Sequence, residues 1–237
     1  MRCLVPVVAC LALLGSAAPA GAVVITDFAS GFSSSTNPNG DWRFGYTDTL
    51  GGAFVLSTQT TTYGPANEIT AWSPAGTFWP TVALNPTAAA VSFGVGNAVT
   101  LAAGEGLLHP GPTGAYGDVR FVMPTAVTAM LDVQFRGIDA VGTTTDVHVL
   151  RNGVSLYAAL INGAGNAQGF NATLTFAAGD VIDFAVGVGS NGDFVDDSTG
   201  FRATFSTAPE PVPEPGTYVM LAAGLVGLAL MRRARHR

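Results

Sequence analysis

Asp146-Val147-His148-Val149-Leu150-Arg151-Asn152-Gly153-Val154-Ser155-Leu156-Tyr157-Ala158 reads as a strand, a tight turn and a returning strand. Val147 and Val149 alternate with Asp146, His148 and Leu150, the period of two that marks a half-buried strand. Arg151-Asn152-Gly153 then turns the chain, because Asn-Gly tolerates the positive φ that a two-residue hairpin demands. Val154–Ala158 is the return strand. His148, on the alternate side from the valines, is expected to face solvent.

The same alternation recurs on both sides of this hairpin. Trp42, Phe44 and Tyr46 share a face. Leu131, Val133 and Phe135 oppose Asp132, Gln134 and Arg136, and Leu174 and Phe176 oppose Thr173 and Thr175. Ala178-Gly179-Asp180 turns into Val181–Val186, whose Ile182, Phe184 and Val186 point one way. Phe201, Ala203 and Phe205 alternate with Arg202, Thr204 and Ser206. No stretch sustains helical periodicity, so the expected fold class is all-β, an antiparallel, jelly-roll-like β-sandwich in a single domain over 23–208. Residues 57–115 carry Pro65, Pro74, Pro80, Pro86, Pro110 and Pro112 and read as a loop-rich insertion. This insertion also holds Tyr63, Trp72, Trp79 and His109, which makes it the expected functional surface.

Charge narrows the partners. Charged residues are 11% of the 237, and lysine is absent. Between Val23 and Pro209 five arginines face fourteen carboxylates, a net of −9. Such a surface repels nucleic acid and anionic lipid and is compatible with cations and neutral sugars. Both cysteines, Cys3 and Cys10, lie within the first 22 residues. The rest of the chain therefore has neither disulfides nor thiol chemistry.

The two ends carry addresses. Met1–Ala22 has the parts of a signal peptide: Arg2, an apolar Leu4–Leu14, and Ala20-Gly21-Ala22 as a small-x-small cleavage site, with Val23 the expected mature start. Signal peptidase and the Sec machinery are the implied partners. Val7-Val8-Ala9-Cys10 fits a lipoprotein signal loosely, but the apolar stretch runs well past Cys10. At the far end, 209–216 is a Pro-rich extended spacer, Thr217–Met231 is a run of fifteen uncharged residues, and Arg232, Arg233, Arg235 and Arg237 close the chain at 232–237. A membrane helix needs roughly 20 residues, so 217–231 reads as a short transmembrane helix whose flanking arginines snorkel and stay cytoplasmic. The precursor is then anchored in the inner membrane with its ectodomain outside.

Val212-Pro213-Glu214-Pro215, followed by a short apolar helix and a terminal arginine cluster, resembles the PEP-CTERM sorting signal of Gram-negative bacteria, a tail also labelled the ice-binding protein C-terminal domain. The resemblance implies an exosortase that recognises Pro213-Glu214-Pro215 and cleaves near it, with release or display in an exopolysaccharide, biofilm or floc matrix. The stretches His109-Pro110-Gly111, Asp118-Val119-Arg120-Phe121, Phe135-Arg136-Gly137 and Asp146–Val149, with Ala178–Gly187, look like an ectodomain common among PEP-CTERM proteins and are similar in style to carbohydrate-binding jelly rolls.

Candidate chemistry is sparse. Asp193, Asp196 and Asp197 crowd one loop and suit calcium, although the spacing is not that of an EF-hand. Otherwise they make a solvated acidic turn, and no cofactor is expected. Trp72 and Trp79 could stack on pyranose faces or else cap the sandwich core, and His109 could be a ligand or general base or else a loop-packing residue. A metal site made by His109 and His148 would require the two to converge. Glu68 and Glu105 are the only ectodomain glutamates, and neither lies in a catalytic motif; Gly-x-Ser-x-Gly, His-Glu-x-x-His and phosphate-loop patterns are absent. The expectation is a non-catalytic, matrix-associated module, either structural or binding polysaccharide, with a surface glycan hydrolase as the alternative. Ice binding would need a threonine ladder, but Thr47/Thr49, Thr58/Thr60 and Thr173/Thr175 recur at no fixed period.

Overall fold

The computed structural model describes residues 22–207 and, near the C-terminus, 224, 225, 227, 228 and 231–235. The signal segment before Ala22, the Val212-Pro213-Glu214-Pro215 motif and Arg237 lie outside the described residues. Those described at the C-terminus are helical, Arg232, Arg233 and Arg235 among them. Among the described residues no helix is long and apolar enough to cross a membrane.

Val23–Ala208 form one compact unit. Its strands are β1 (Val24–Asp27), β2 (Trp42–Thr47), β3 (Phe54–Leu56), β4 (Gln59–Tyr63), β5 (Ile69–Ser73), β6 (Thr81–Leu84), β7 (Val91–Phe93) and β8 (Val99–Leu101). They continue as β9 (Gly106–His109), β10 (Tyr116–Val122), β11 (Val127–Gly137), β12 (Asp146–Arg151), β13 (Val154–Leu160), β14 (Ala167–Phe176), β15 (Val181–Gly187) and β16 (Thr199–Thr207). A single helical turn, α1 (Phe28–Gly31), follows β1, with the Asp27 side chain accepting from Ser30 N as its cap. An eight-stranded sheet runs β14-β11-β16-β9-β6-β5-β4, with β1 added to β16. A six-stranded sheet runs β13-β12-β15-β10-β2-β3. Every strand pair is antiparallel, so the protein is an antiparallel β-sandwich.

The hairpin of the opening stretch is present as β12 and β13. Asn152 and Gly153 take φ of 52° and 76°, which L side chains other than Asn and Asp rarely adopt. Asp180 ties this turn to the next one: its carboxylate accepts from Arg151 Nη2 (2.5 Å), Asn152 Nδ2 (2.8 Å) and Ala177 N (2.7 Å). The alternating apolar residues meet between the sheets, where Phe28, Trp42, Phe44, Phe184, Phe201 and Phe205 pack together.

Two expectations change. Residues 57–115 are not a loop insertion: they supply β4 to β9, four of them half of the larger sheet. Their strands are only three to five residues long, and prolines sit in the turns between them. The β7–β8 ribbon forms a third layer, roofing the outer face of that half-sheet over a second core of Ile69, Ala71, Ala83, Leu101, Leu107 and Ile138. Second, His148 does not face solvent. It is 9% exposed, and its Nε2 lies 2.7 Å from Asp146 Oδ2, which also accepts from Tyr116 Oη at 3.1 Å. The outer face of the six-stranded sheet thus carries packed polar groups, of which His148 Nδ1 and Asp118 Oδ1 are buried without a partner.

Candidate functional site

Where the ribbon's cover ends, an open cleft of about 870 Å³ remains on the larger sheet. Alternation puts Leu108 and Val82 into the main core, so Leu107, His109 and Thr81 point the other way, into this space. Tyr63 at the end of β4 and Phe93 at the end of β7 stack at 5.4 Å on one side. Trp79, two residues before β6, stacks on His109 at 4.0 Å and 27° on the other. Phe194, from the loop between β15 and β16, stands edge-on to His109 at 6.3 Å. Asp139 and Asp196 supply its carboxylates.

His109 is 3% exposed, and its Nδ1 donates to the Pro110 carbonyl at 2.8 Å. Burial pushes its pKa down to about 4, with the Pro110 bond opposing. The imidazole is therefore neutral, and Nε2 is a bare acceptor with no partner among the described residues. Asp139 is 4% exposed and accepts from Val141 N at 3.0 Å. Burial raises its pKa; the Val141 bond opposes this, and the charge of Asp196 adds to it. Burial likewise raises the Tyr63 phenol.

The sequence candidates separate here. Trp79 and His109 come together in the cleft. Trp72 does not join them: it lies on β5, is 6% exposed in the main core, and donates Nε1–H to the Ser33 carbonyl at 2.7 Å. His109 and His148 belong to different sheets, so they form no shared site. Asp193, Asp196 and Asp197, the sequence candidates for calcium, share the loop between β15 and β16. Among the described residues no group of three His, Cys, Asp or Glu side chains is placed to hold a metal. Asp193 accepts from Val195 N within its own turn. Asp197 is buried and accepts from Thr144 N (2.8 Å) and Thr144 Oγ1 (3.2 Å). Glu105 grips Arg136 at 2.6 and 3.2 Å, and Glu68 accepts from Ala66 N. Asp139 was not foreseen; its only sequence signal is its place just after the long alternating strand β11.

Asp197 gives a pH prediction. Its Oδ2 is buried without a partner, and its pKa is raised to about 6, chiefly by burial, against the two Thr144 bonds and with help from Asp193 and Asp196. A raised carboxyl contributes stability below its unfolded pKa, and that contribution is lost as pH climbs through the folded value. Asp197→Asn, which keeps an acceptor for Thr144, is therefore expected to melt a few degrees above the parent at pH 7 and level with it at pH 4. A variant that melted lower at both would show that the charge itself holds the loop.

This unit is an antiparallel β-sandwich bearing an aromatic-walled cleft. Residues 209–235 match the PEP-CTERM protein-sorting motif, a motif that implies export, membrane anchoring before sorting and processing by an exosortase. A comparison with curated proteins finds no match. Among solved structures, a family 51 carbohydrate-binding module from Clostridium perfringens in complex with methyl-galactose has 9% identity and a TM-score of 0.32, covering 46% of this chain and 73% of that one. A family 35 carbohydrate-binding module from Clostridium thermocellum has 8% identity and a TM-score of 0.28, covering 64% and 100%. A second family 51 module from Clostridium perfringens, in complex with GlcNAc and joined to further domains, has 10% identity and a TM-score of 0.36, covering 71% and 41%.

Proposed function

We propose that the exported sandwich is a non-catalytic glycan-binding module that takes a short stretch of polysaccharide into the Trp79–His109 cleft and acts at the cell surface or in the exopolysaccharide matrix. The observation that carries this reading is the cleft wall: Trp79, Tyr63, Phe93 and Phe194 are gathered around one open space. Flat aromatic faces suit the apolar faces of pyranose rings, and a few fixed polar groups set orientation. The neutral Nε2 of His109 accepts from a sugar hydroxyl, and the carboxylate of Asp139 does the same.

Isothermal titration of the exported chain against a panel of neutral oligosaccharides tests the proposal. Trp79→Ala is expected to weaken binding of the best ligand at least tenfold, about 1.4 kcal/mol, while moving the melting temperature little. Trp72→Ala, by contrast, is expected to lower the melting temperature, because that ring is in the core. No binding across the panel would remove the glycan reading. Release of reducing sugar from a bound oligosaccharide would favour the surface-hydrolase alternative.

A further inference from the structure

The carboxylates of the cleft say which glycan it prefers. Asp139 is 4% exposed and lines the cleft; Asp196 lines it too, on the opposite loop. The two sense each other, since the charge of Asp196 adds to the upward push on Asp139. No arginine is among the residues lining the cleft, and the chain has no lysine to bring. His109 is neutral and offers only an acceptor. The charged side chains lining this space are thus both anions, with aromatic rings beside them and no cation among the lining residues.

An anionic guest, such as a uronate, would bring its charge beside two carboxylates in a partly desolvated space. A neutral sugar would be tolerated. A guest carrying an ammonium group would relieve the repulsion between Asp139 and Asp196, donate to both, and find aromatic faces that also attract cations.

Building on the glycan-binding reading above, we propose that the cleft selects amino-sugar polymers with free, protonated amines, with Asp139 and Asp196 as the residues that set the preference. The ligand class is de-N-acetylated hexosamine oligosaccharide.

The probes are the glucosamine tetramer, its fully N-acetylated counterpart and a galacturonate tetramer, titrated into the exported chain at mildly acidic pH and physiological salt. The expected order is free amine at least tenfold tighter than N-acetyl, with galacturonate not binding. The body of the protein is acidic throughout, so a small cation could also bind anywhere on it. The double variant Asp139→Asn/Asp196→Asn separates the two cases, because it leaves twelve of the fourteen carboxylates between Val23 and Pro209 in place. Asn keeps the acceptor for Val141 N, and it tolerates the left-handed φ of 62° at position 196. The variant is expected to bind the N-acetyl tetramer as the parent does and to lose the preference for the free amine. If the double variant melts out, Asp196→Asn alone is expected to reduce the preference.

Equal affinity for the amine and N-acetyl tetramers, or tighter binding of galacturonate, would overturn this selectivity and leave the glycan-binding reading standing. An amine preference that survived in the variant would overturn the assignment to the cleft. Failure of all three probes and of the neutral panel would overturn both.

Discussion

Phe28→Ala is expected to cost the sandwich about 3–5 kcal/mol, a large share of the roughly 5–15 kcal/mol that a domain of this kind has. Phe28 is 1% exposed, and its ring meets Phe201 at 5.0 Å, Phe32 at 5.8 Å, Trp42 at 6.1 Å and Phe44 at 6.2 Å, mostly edge to face. It joins the two sheets, since Trp42 and Phe44 stand on β2 and Phe201 stands on β16. The fit is close enough to dictate another residue. A Cβ on Gly106 would come within 2.4 Å of the Phe28 ring, so β9 passes with glycine at that point. Truncation empties a space that neighbouring strands, fixed by their ladders, cannot close. At roughly 2–4 °C per kcal/mol for a domain of this size, the melting temperature should fall by about 6–20 °C. A fall of a degree or two would show that the segment after Val23 is an appendage and not part of the core.

Arg120→Ala is expected to cost about 3 kcal/mol, the low end for breaking a buried pair because the arginine side chain keeps 23% exposure. Arg120 meets Asp183 with two bonds, of 2.6 and 3.1 Å, and lies over the Phe54 ring at 4.6 Å. Asp183 is 1% exposed, and so is Asp118 on β10. The Asp118 carboxyl is held well above the usual carboxylate range, first by burial and then by the charge of Asp183, while Arg120 pulls it down. Removing the guanidinium leaves two buried carboxyl groups to repel one another. The sign of the pH dependence follows: a carboxyl with a raised folded pKa contributes stability at low pH and loses it as pH rises. The Arg120→Ala defect should therefore be smallest near pH 4 and grow toward neutrality. Removing both charges, as in Arg120→Met/Asp183→Leu, should recover much of the loss, because the uncompensated charge and not the missing contact is the main cost. A double variant no better than the single would show that packing of the Arg120 stem dominates.

How much of this was legible depended on how far each signal reached along the chain. The β12–β13 hairpin announces itself locally, through the alternation of valines and one Asn-Gly turn. The strands β2, β11, β15 and β16 do the same, because each alternates over at least six residues. β4 to β9 did not: strands of three to five residues punctuated by proline give too short a period to read, and their pairing is set by partners far along the chain. Trp72 and Trp79 show the same limit at a single residue. They are seven positions apart and identical in type, yet one is fixed on a strand in the core and the other stands just before a strand at the mouth of the cleft. His148 obeys the period of two, but alternation tells only which face a residue takes. It does not tell that Asp146 and Tyr116 would fill that face. The loop acids show a similar limit, because Asp197 is bonded to Thr144, some fifty residues away in sequence. Asp139 carried no signal beyond its neighbourhood, and only the folded sheet brings it opposite Asp196.

The three indole N–H groups of the chain provide the most direct test of the cleft. Trp42 donates to Thr26 Oγ1 at 3.1 Å and Trp72 to the Ser33 carbonyl at 2.7 Å, both inside the core, whereas Trp79 stands at the cleft. Their nuclear magnetic resonances can be followed separately while an oligosaccharide is added to the exported chain. The Trp79 indole signal is expected to shift and saturate with ligand, leaving those of Trp42 and Trp72 where they were. A saturating ligand that left Trp79 unmoved would place glycan recognition elsewhere on the protein and contradict the cleft assignment.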